Sequence, residues 1–401
     1  MNNGVGRRMV VTAVATAVGL LAGGAVGFVT RGTDALILDR PPAAPAAPAV
    51  TPVAADTLLA WTPGGLPSGF SRDVRHLEGI DRVASVVSGF AWMSGSSTAD
   101  GVSVDRPPKG LAIPIEVAGV SPAQYSAFLS PSERAVLPAL AAGEGALGET
   151  SARLRRLGPG GALRFGGVTI RIAAVLPDAA IGAHELVVSK PAAAELEVTR
   201  ERYLLIDPSE GASLEALTRR IREVLPPGAQ AQVRGPGETP FFRQGDAVLP
   251  PVRLKELFGE FAARPTAGGY IHMDPRWTAT HIVTATVPIL GHVTCNRAII
   301  PQLRGALDEI ARRGYGSLID PADYGGCYSP RFLNRNPSAG LSHHAWGVAV
   351  DVNVSSNPFG HTAHQDPRVV AAFARWGFTW GGNWLLPDGM HFEFVRFAPG
   401  D

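Results

Sequence analysis

The stretch LSHHAWGVAVD, residues 341 to 351, decides how the C-terminal part of this chain is read. Two adjacent histidines stand seven or eight residues ahead of an aspartate, with only small and apolar residues between them. Read as a strand, GVAVDVNV (347–354) places Val348, Val350, Val352 and Val354 on one face. Gly347, Ala349, Asp351 and Asn353 fall on the other. One face is core, and the other is small and then polar, which leaves room beside Asp351. PDGMHFEFV, residues 387 to 395, has the same form. Met390, Phe392 and Phe394 face a core while His391 and Glu393 share the reverse. Neither strand has a packing reason to carry these polar groups.

Two imidazoles and one carboxylate make a three-ligand set with a fourth position free for water, the arrangement of a catalytic rather than a structural zinc. Zinc lowers the pKa of its bound water toward 7 and polarises a carbonyl. Asp388, three residues before His391, can reach the same water as general base and later protonate a leaving amine. Asp388 also suits a turn with Pro387 and Gly389, and Glu393 suits either a solvated strand end or a group orienting a ligand from behind. The residues alone leave His343 and His344 as alternatives for the first imidazole. His361 and His364, in HTAHQD, lie in a polar loop and are read as surface residues.

The pattern S-x-H-x-x-G-x-A-x-D is met by Ser342, His344, Gly347, Ala349 and Asp351, and an acidic residue stands three before the histidine in DGMHFE. Together they resemble the D-alanyl-D-alanine carboxypeptidase / L-alanyl-D-glutamate endopeptidase family of zinc peptidases. The likeness runs from roughly residue 250 to 401 and includes CNRAIIPQL, GGCYSPR and GFTWGGNW. It implies a hedgehog-like α+β fold with an antiparallel sheet, a bound zinc ion, and hydrolysis of peptidoglycan stem peptides. By the resemblance, His344, Asp351 and His391 correspond to the metal ligands, Asp388 to the catalytic acid/base, and Arg331 in CYSPR to the arginine that steadies the oxyanion. Ser342 and Trp384 are the candidate substrate-binding residues. Many carboxypeptidase members have glutamate as the base, so Asp388 leaves open which bond is cut. The rival reading is a non-catalytic protein that binds wall peptides or scaffolds an envelope complex.

The rest of the 401-residue chain supplies context. With 36 basic and 35 acidic residues it is close to neutral, which argues against a nucleic-acid partner. Residues 9 to 29, MVVTAVATAVGLLAGGAVGFV, carry no charge and span about 30 Å as a helix, enough for a bilayer core. Arg7 and Arg8 ahead of the run and only Arg31 behind it place residues 1–8 in the cytoplasm and the remainder outside. This reads as a single-pass anchor, with a cleaved signal and secretion as the alternative. Residues 30–56 form a proline- and alanine-rich linker that stays extended. Cys295 and Cys327, the only two cysteines, are expected to pair outside the cytoplasm. Closing that loop stabilises by roughly 3–4 kcal/mol in the chain-entropy model; two buried free thiols are the alternative.

Residues 57–245 read as a separate α+β domain. ALRFGGVTIRIAAVLP, ELVVS and RYLLID are strand-like, and SLEALTRRIREVLP has helical spacing and a proline at its end. GETSARLRRLGPGGALRFGGVTIRIAAVLPDAAIG resembles the extracytoplasmic core domain of macrolide-exporter-type ABC permeases, which implies a binding or spacing role toward an envelope protein partner. Residues 246–401 form the peptidase-like domain. In it, PQLRGALDEIARRGYG and DPRVVAAFARWGF are helices. Asp366 caps the second, Pro367 starts it, and Gly377 ends it.

Overall fold

Residues 56–398 are described by a computed structural model; the apolar run at 9–29 and all but the last residue of the linker lie outside them. Among the described residues no helix is long and apolar enough to cross a membrane. The chain is a mixed α+β protein.

Gly166 and Gly167 turn the chain between the antiparallel strands Ala162–Phe165 and Val168–Leu176, where alternating Leu163, Ile170 and Ile172 are buried. These strands belong to a ten-stranded sheet. Its order is Gln232–Arg234, Leu58–Trp61, Glu201–Pro208, Ile80–Met93, Ile113–Val120, Leu186–Ser189, Gly145–Gly148, Val168–Leu176, Ala162–Phe165, Gly95–Ser97. Helix Leu214–Glu223 starts where the Ser213 hydroxyl accepts the Ala216 N–H at 3.3 Å, and it buries Leu217 and Ile221 against Leu204, Ile206 and Val233. The strand and helix readings of this region are therefore realised by their own local chemistry.

In the C-terminal part, helix Ile300–Arg312 turns Leu303, Leu307 and Ile310 inward, all without solvent contact, and Gly314 in left-handed geometry (φ 77°) follows it. Helix Pro367–Arg375 begins where the Asp366 carboxylate accepts the Arg368 N–H at 2.8 Å, and Gly377 (φ 86°) lets the chain leave. Both helices share one core with a three-stranded antiparallel sheet of order Ala349–Asp351, His391–Phe394, Phe378–Trp380. Phe373 stacks on Phe392 at 4.3 Å, and Phe258 meets Phe394 edge-on at 5.0 Å.

The strand read over 347–354 is shorter than its alternation suggests. It runs only over Ala349–Asp351, because Gly347 (φ 68°) and Asn353 (φ 53°) both turn the backbone into the left-handed region. Val348, Val350 and Val352 nonetheless remain fully buried. In the partner stretch, the strand begins at His391, so Met390 lies in a turn and is half-buried, while Phe392 and Phe394 take the core.

The two parts meet through a buried seam. Ala112 bridges Ala263, and the C-terminal core takes in Ala183 and Phe241 and touches Phe90, Trp92 and Leu154. Within the seam the Lys255 ammonium donates to both Glu185 oxygens, at 2.8 and 2.9 Å, and lies 3.0 Å from Glu260. Arg155 pairs with the same two carboxylates. The Arg155, Glu185 and Lys255 side chains have no solvent exposure, so each charge depends on its partners.

Candidate metal centre

Strand register brings two of the predicted ligands together. Asp351 pairs directly with His391, one step along from Val350 with Phe392 and two from Ala349 with Glu393. On its other edge the Asp351 strand is held by Gly326, whose carbonyl accepts the Asp351 N–H at 3.0 Å. His344 arrives from a single 3-10 turn, His343–Ala345, whose start is capped by the Ser342 hydroxyl accepting the His344 N–H at 3.3 Å. Gly347 then carries the chain into the strand. A Cβ there would sit 2.8 Å from the Asn296 nitrogen and 3.0 Å from the Ile282 side chain, so only glycine suits both the backbone and the space.

One donor atom each of His344, Asp351 and His391 lies within 4.8 Å of the other two. His344 Nε2 is 3.2 Å from Asp351 Oδ2, His391 Nδ1 is 3.0 Å from Asp351 Oδ1, and the two ring nitrogens are 3.3 Å apart. The opposite nitrogens are engaged elsewhere. His344 Nδ1 is 2.8 Å from the Cys327 carbonyl, and His391 Nε2 is 3.4 Å from Glu393 Oε2. A proton on each of those outer nitrogens leaves His344 Nε2 and His391 Nδ1 as lone pairs aimed at one spot beside a carboxylate. This is how histidine ligands to a metal are held. All three residues are under 10 % exposed, and the donor set of two nitrogens and one oxygen fits zinc.

Electrostatics agree with a site for a cation. Burial alone would raise the Asp351 carboxyl, yet His344 and His391 together hold it well below the usual aspartate range. Burial would lower the His391 imidazole, but hydrogen bonds to Asp351 and Glu393 push it up to about 10, so a cation bound at Nδ1 would take the place of a proton there. Glu393, 1 % exposed, is likewise held low against its burial by His343 and His391. His343 Nδ1 lies 2.8 Å from Glu393 Oε2, the oxygen at the outer nitrogen of His391 and so away from the three ligands' common point. His343 therefore sits behind the site, not in it.

Asp388 lies in the turn just before His391, whose N–H donates to the Asp388 carbonyl at 3.1 Å. Its Oδ1 is buried and has no hydrogen-bond partner. Burial pushes its carboxyl above the ordinary aspartate value; Asp351 adds to this while His391, His344 and Arg331 oppose it. Gly381 allows the approach, since a Cβ there would lie 2.8 Å from the Asp388 carbonyl oxygen. Arg331 bridges Tyr270 through its backbone, and its charge reaches Asp388. The Trp384 ring lies 5.3 Å from the His391 ring and walls the site on that side. Ser342 is 2 % exposed, and its hydroxyl serves the turn that presents His344. His361 and His364 are exposed and stand apart from the set.

Some contributors had no local signal in the sequence. The Cys327 carbonyl orients His344, and Cys327 is bonded to Cys295 across 32 residues, with Cα atoms 5.3 Å apart. Tyr324 has a buried hydroxyl without a partner, and burial and the Asp351 charge push its phenol up. A backbone carbonyl is invisible to residue-type patterns, and one tyrosine in a loop is not distinctive.

Part of the chain matches a known family. Residues 335–394 match the family model for D-alanyl-D-alanine carboxypeptidase, a segment that holds His344, Asp351, Asp388 and His391. Among solved structures, the periplasmic region of MacB from Actinobacillus actinomycetemcomitans is similar at 11 % identity and a TM-score of 0.33, over 46 % of this chain and 90 % of that one. The extracellular domain of the noncanonic ABC-type transporter YknZ from Gram-positive bacteria is similar at 12 % identity and a TM-score of 0.28, over 42 % of this chain and 92 % of that one. The resemblance to the carboxypeptidase family drawn from the sequence is met by the family model over these residues.

Proposed function

We propose that this protein is a zinc peptidase that hydrolyses peptidoglycan stem peptides at the cell surface, as a D-Ala-D-Ala carboxypeptidase or an L-Ala-D-Glu type endopeptidase. The observation that carries the reading is the pair of imidazoles whose outer nitrogens are occupied and whose inner nitrogens converge on Asp351. His344, Asp351 and His391 would hold the ion. Bound there, zinc would supply Lewis acidity and water with a pKa near 7.

The chain's own groups divide the remaining work. Asp388, raised by burial, is a stronger base than an exposed aspartate and takes a proton from the attacking water. The same carboxyl returns that proton to the amine as the peptide C–N bond breaks. Arg331 places positive charge where the scissile carbonyl oxygen becomes negative. Trp384 offers an aromatic wall for the substrate. The presence of a base and a cation beside the three ligands favours catalysis over peptide binding alone. Residues 9–29 would anchor the chain with the peptidase outside the cytoplasm, and the permease-like part would face an envelope protein partner.

The test is release of D-alanine or of cut stem peptide from muropeptides by the full chain, followed by mass spectrometry. Chelator-sensitive turnover that is lost in His344→Ala supports the proposal; full activity of His344→Ala refutes it.

A further inference from the structure

Glu393 is buried directly behind His391, and only one backbone amide satisfies its second oxygen: the Val248 N–H donates to Glu393 Oε1 at 3.1 Å. Two residues earlier, Asp246 accepts one bond on each of its carboxylate oxygens. Its Oδ1 accepts from Arg234 Nη2–H at 2.9 Å, and its Oδ2 accepts the Leu385 N–H at 3.0 Å. Arg234 ends the edge strand Gln232–Arg234 of the ten-stranded sheet, and Leu385 follows Trp384 in the loop leading to Asp388. The Arg234 and Asp246 side chains are 9 % and 15 % exposed, and Arg234 also donates to the Gly245 carbonyl at 2.6 Å. Asp246 and Val248 thus touch the sheet, the candidate base loop and the support of a candidate ligand.

We propose that residues 246–248 are a positioning element of the metal centre, through which the strand Gln232–Arg234 holds both His391 and the loop carrying Trp384 and Asp388. The inference rests on the His–Asp–His reading above. Its physical basis is that a metal ligand is only as well placed as the group behind it, and losing such a group typically costs about 10- to 100-fold in metal affinity. Val248 supplies that support to Glu393 from the backbone, and Asp246 ties the segment to Arg234 on one side and to Leu385 on the other.

The experiment measures zinc affinity of the full chain by competition with a chromogenic chelator, and the visible absorption of the cobalt-loaded protein. Asp246→Ala is expected to weaken zinc by about 10-fold and to shift the cobalt bands. Asp246→Asn, which keeps an acceptor oxygen, is expected to fall between it and the wild type. Arg153→Ala removes an exposed ion pair to Glu256 across the same seam and is expected to leave both readouts unchanged. Wild-type affinity and spectrum in both Asp246 variants would overturn the proposal, and so would an equal loss in Arg153→Ala. If Asp246→Ala does not fold, Asp246→Asn decides. Zinc binding without peptide turnover in the wild type would refute the catalytic reading while the affinities still judge this one. A wild type that binds no zinc overturns both.

Discussion

Gly347→Ala perturbs the turn between His344 and Asp351, and its cost can be worked from the local geometry. Gly347 has φ 68°, a conformation that disfavours any Cβ by about 1–2 kcal/mol. The added methyl would meet the Asn296 nitrogen at 2.8 Å, Ile282 Cδ1 at 3.0 Å and the Cys295 carbonyl carbon at 3.3 Å. Two of these are backbone atoms that cannot swing away, and overpacking of this kind costs about 1–3 kcal/mol. The sum is about 2–5 kcal/mol in urea unfolding of the full chain. Gly143→Ala is the matched control: φ is 89°, but no atom lies within 4 Å, so only the backbone cost of about 1–2 kcal/mol applies. The variant should also bind zinc more weakly, since the displaced backbone carries a ligand on each side. Equal destabilisation by the two substitutions would refute the claim that the close approach to Asn296 makes glycine necessary there.

Further outcomes follow from the same contacts. Asp388→Asn should retain zinc and lose about 10²–10⁴-fold in turnover of stem peptides, measured by product release at saturating metal. Cys327→Ser should cost roughly 3–4 kcal/mol in denaturant unfolding, as loop closure predicts. It should also loosen His344 by freeing the carbonyl that orients it, read as weaker zinc binding under non-reducing conditions. Buried Glu116 is pulled below its ordinary value by Arg243 against the upward push of burial. A depressed carboxyl stabilises the fold above the unfolded value of about 4.3 and loses that contribution as pH falls through the folded value. Glu116→Gln should therefore flatten the fall of stability below about pH 4.3 in acid titrations followed by circular dichroism.

The C-terminal site was legible because its chemistry sits on short strands whose alternation separates valine and phenylalanine from histidine, aspartate and glutamate. The pairing of Asp351 with His391 follows once both strands lie in one sheet. The strand ends were not legible: Asn353 adopts φ 53° because its side chain is held by the Leu318 carbonyl and by Gln365, contacts more than ten residues away. Helices such as Ile300–Arg312 and Pro367–Arg375 were readable from caps and periodicity, both local properties. The buried seam was not. Arg155, Glu185, Lys255 and Glu260 look like surface charges in sequence, and only tertiary contact makes them a mutually neutralising cluster. The same is true of Asp246 and Val248, whose importance comes from what they touch.

The most direct test is the metal content and ligation of the purified full chain, by elemental analysis and zinc-edge X-ray absorption. The account predicts one zinc per chain with nitrogen and oxygen ligands at about 2.0–2.2 Å, and loss of the ion in each of His344→Ala, Asp351→Ala and His391→Ala. Full zinc retention by any of these three variants would contradict it.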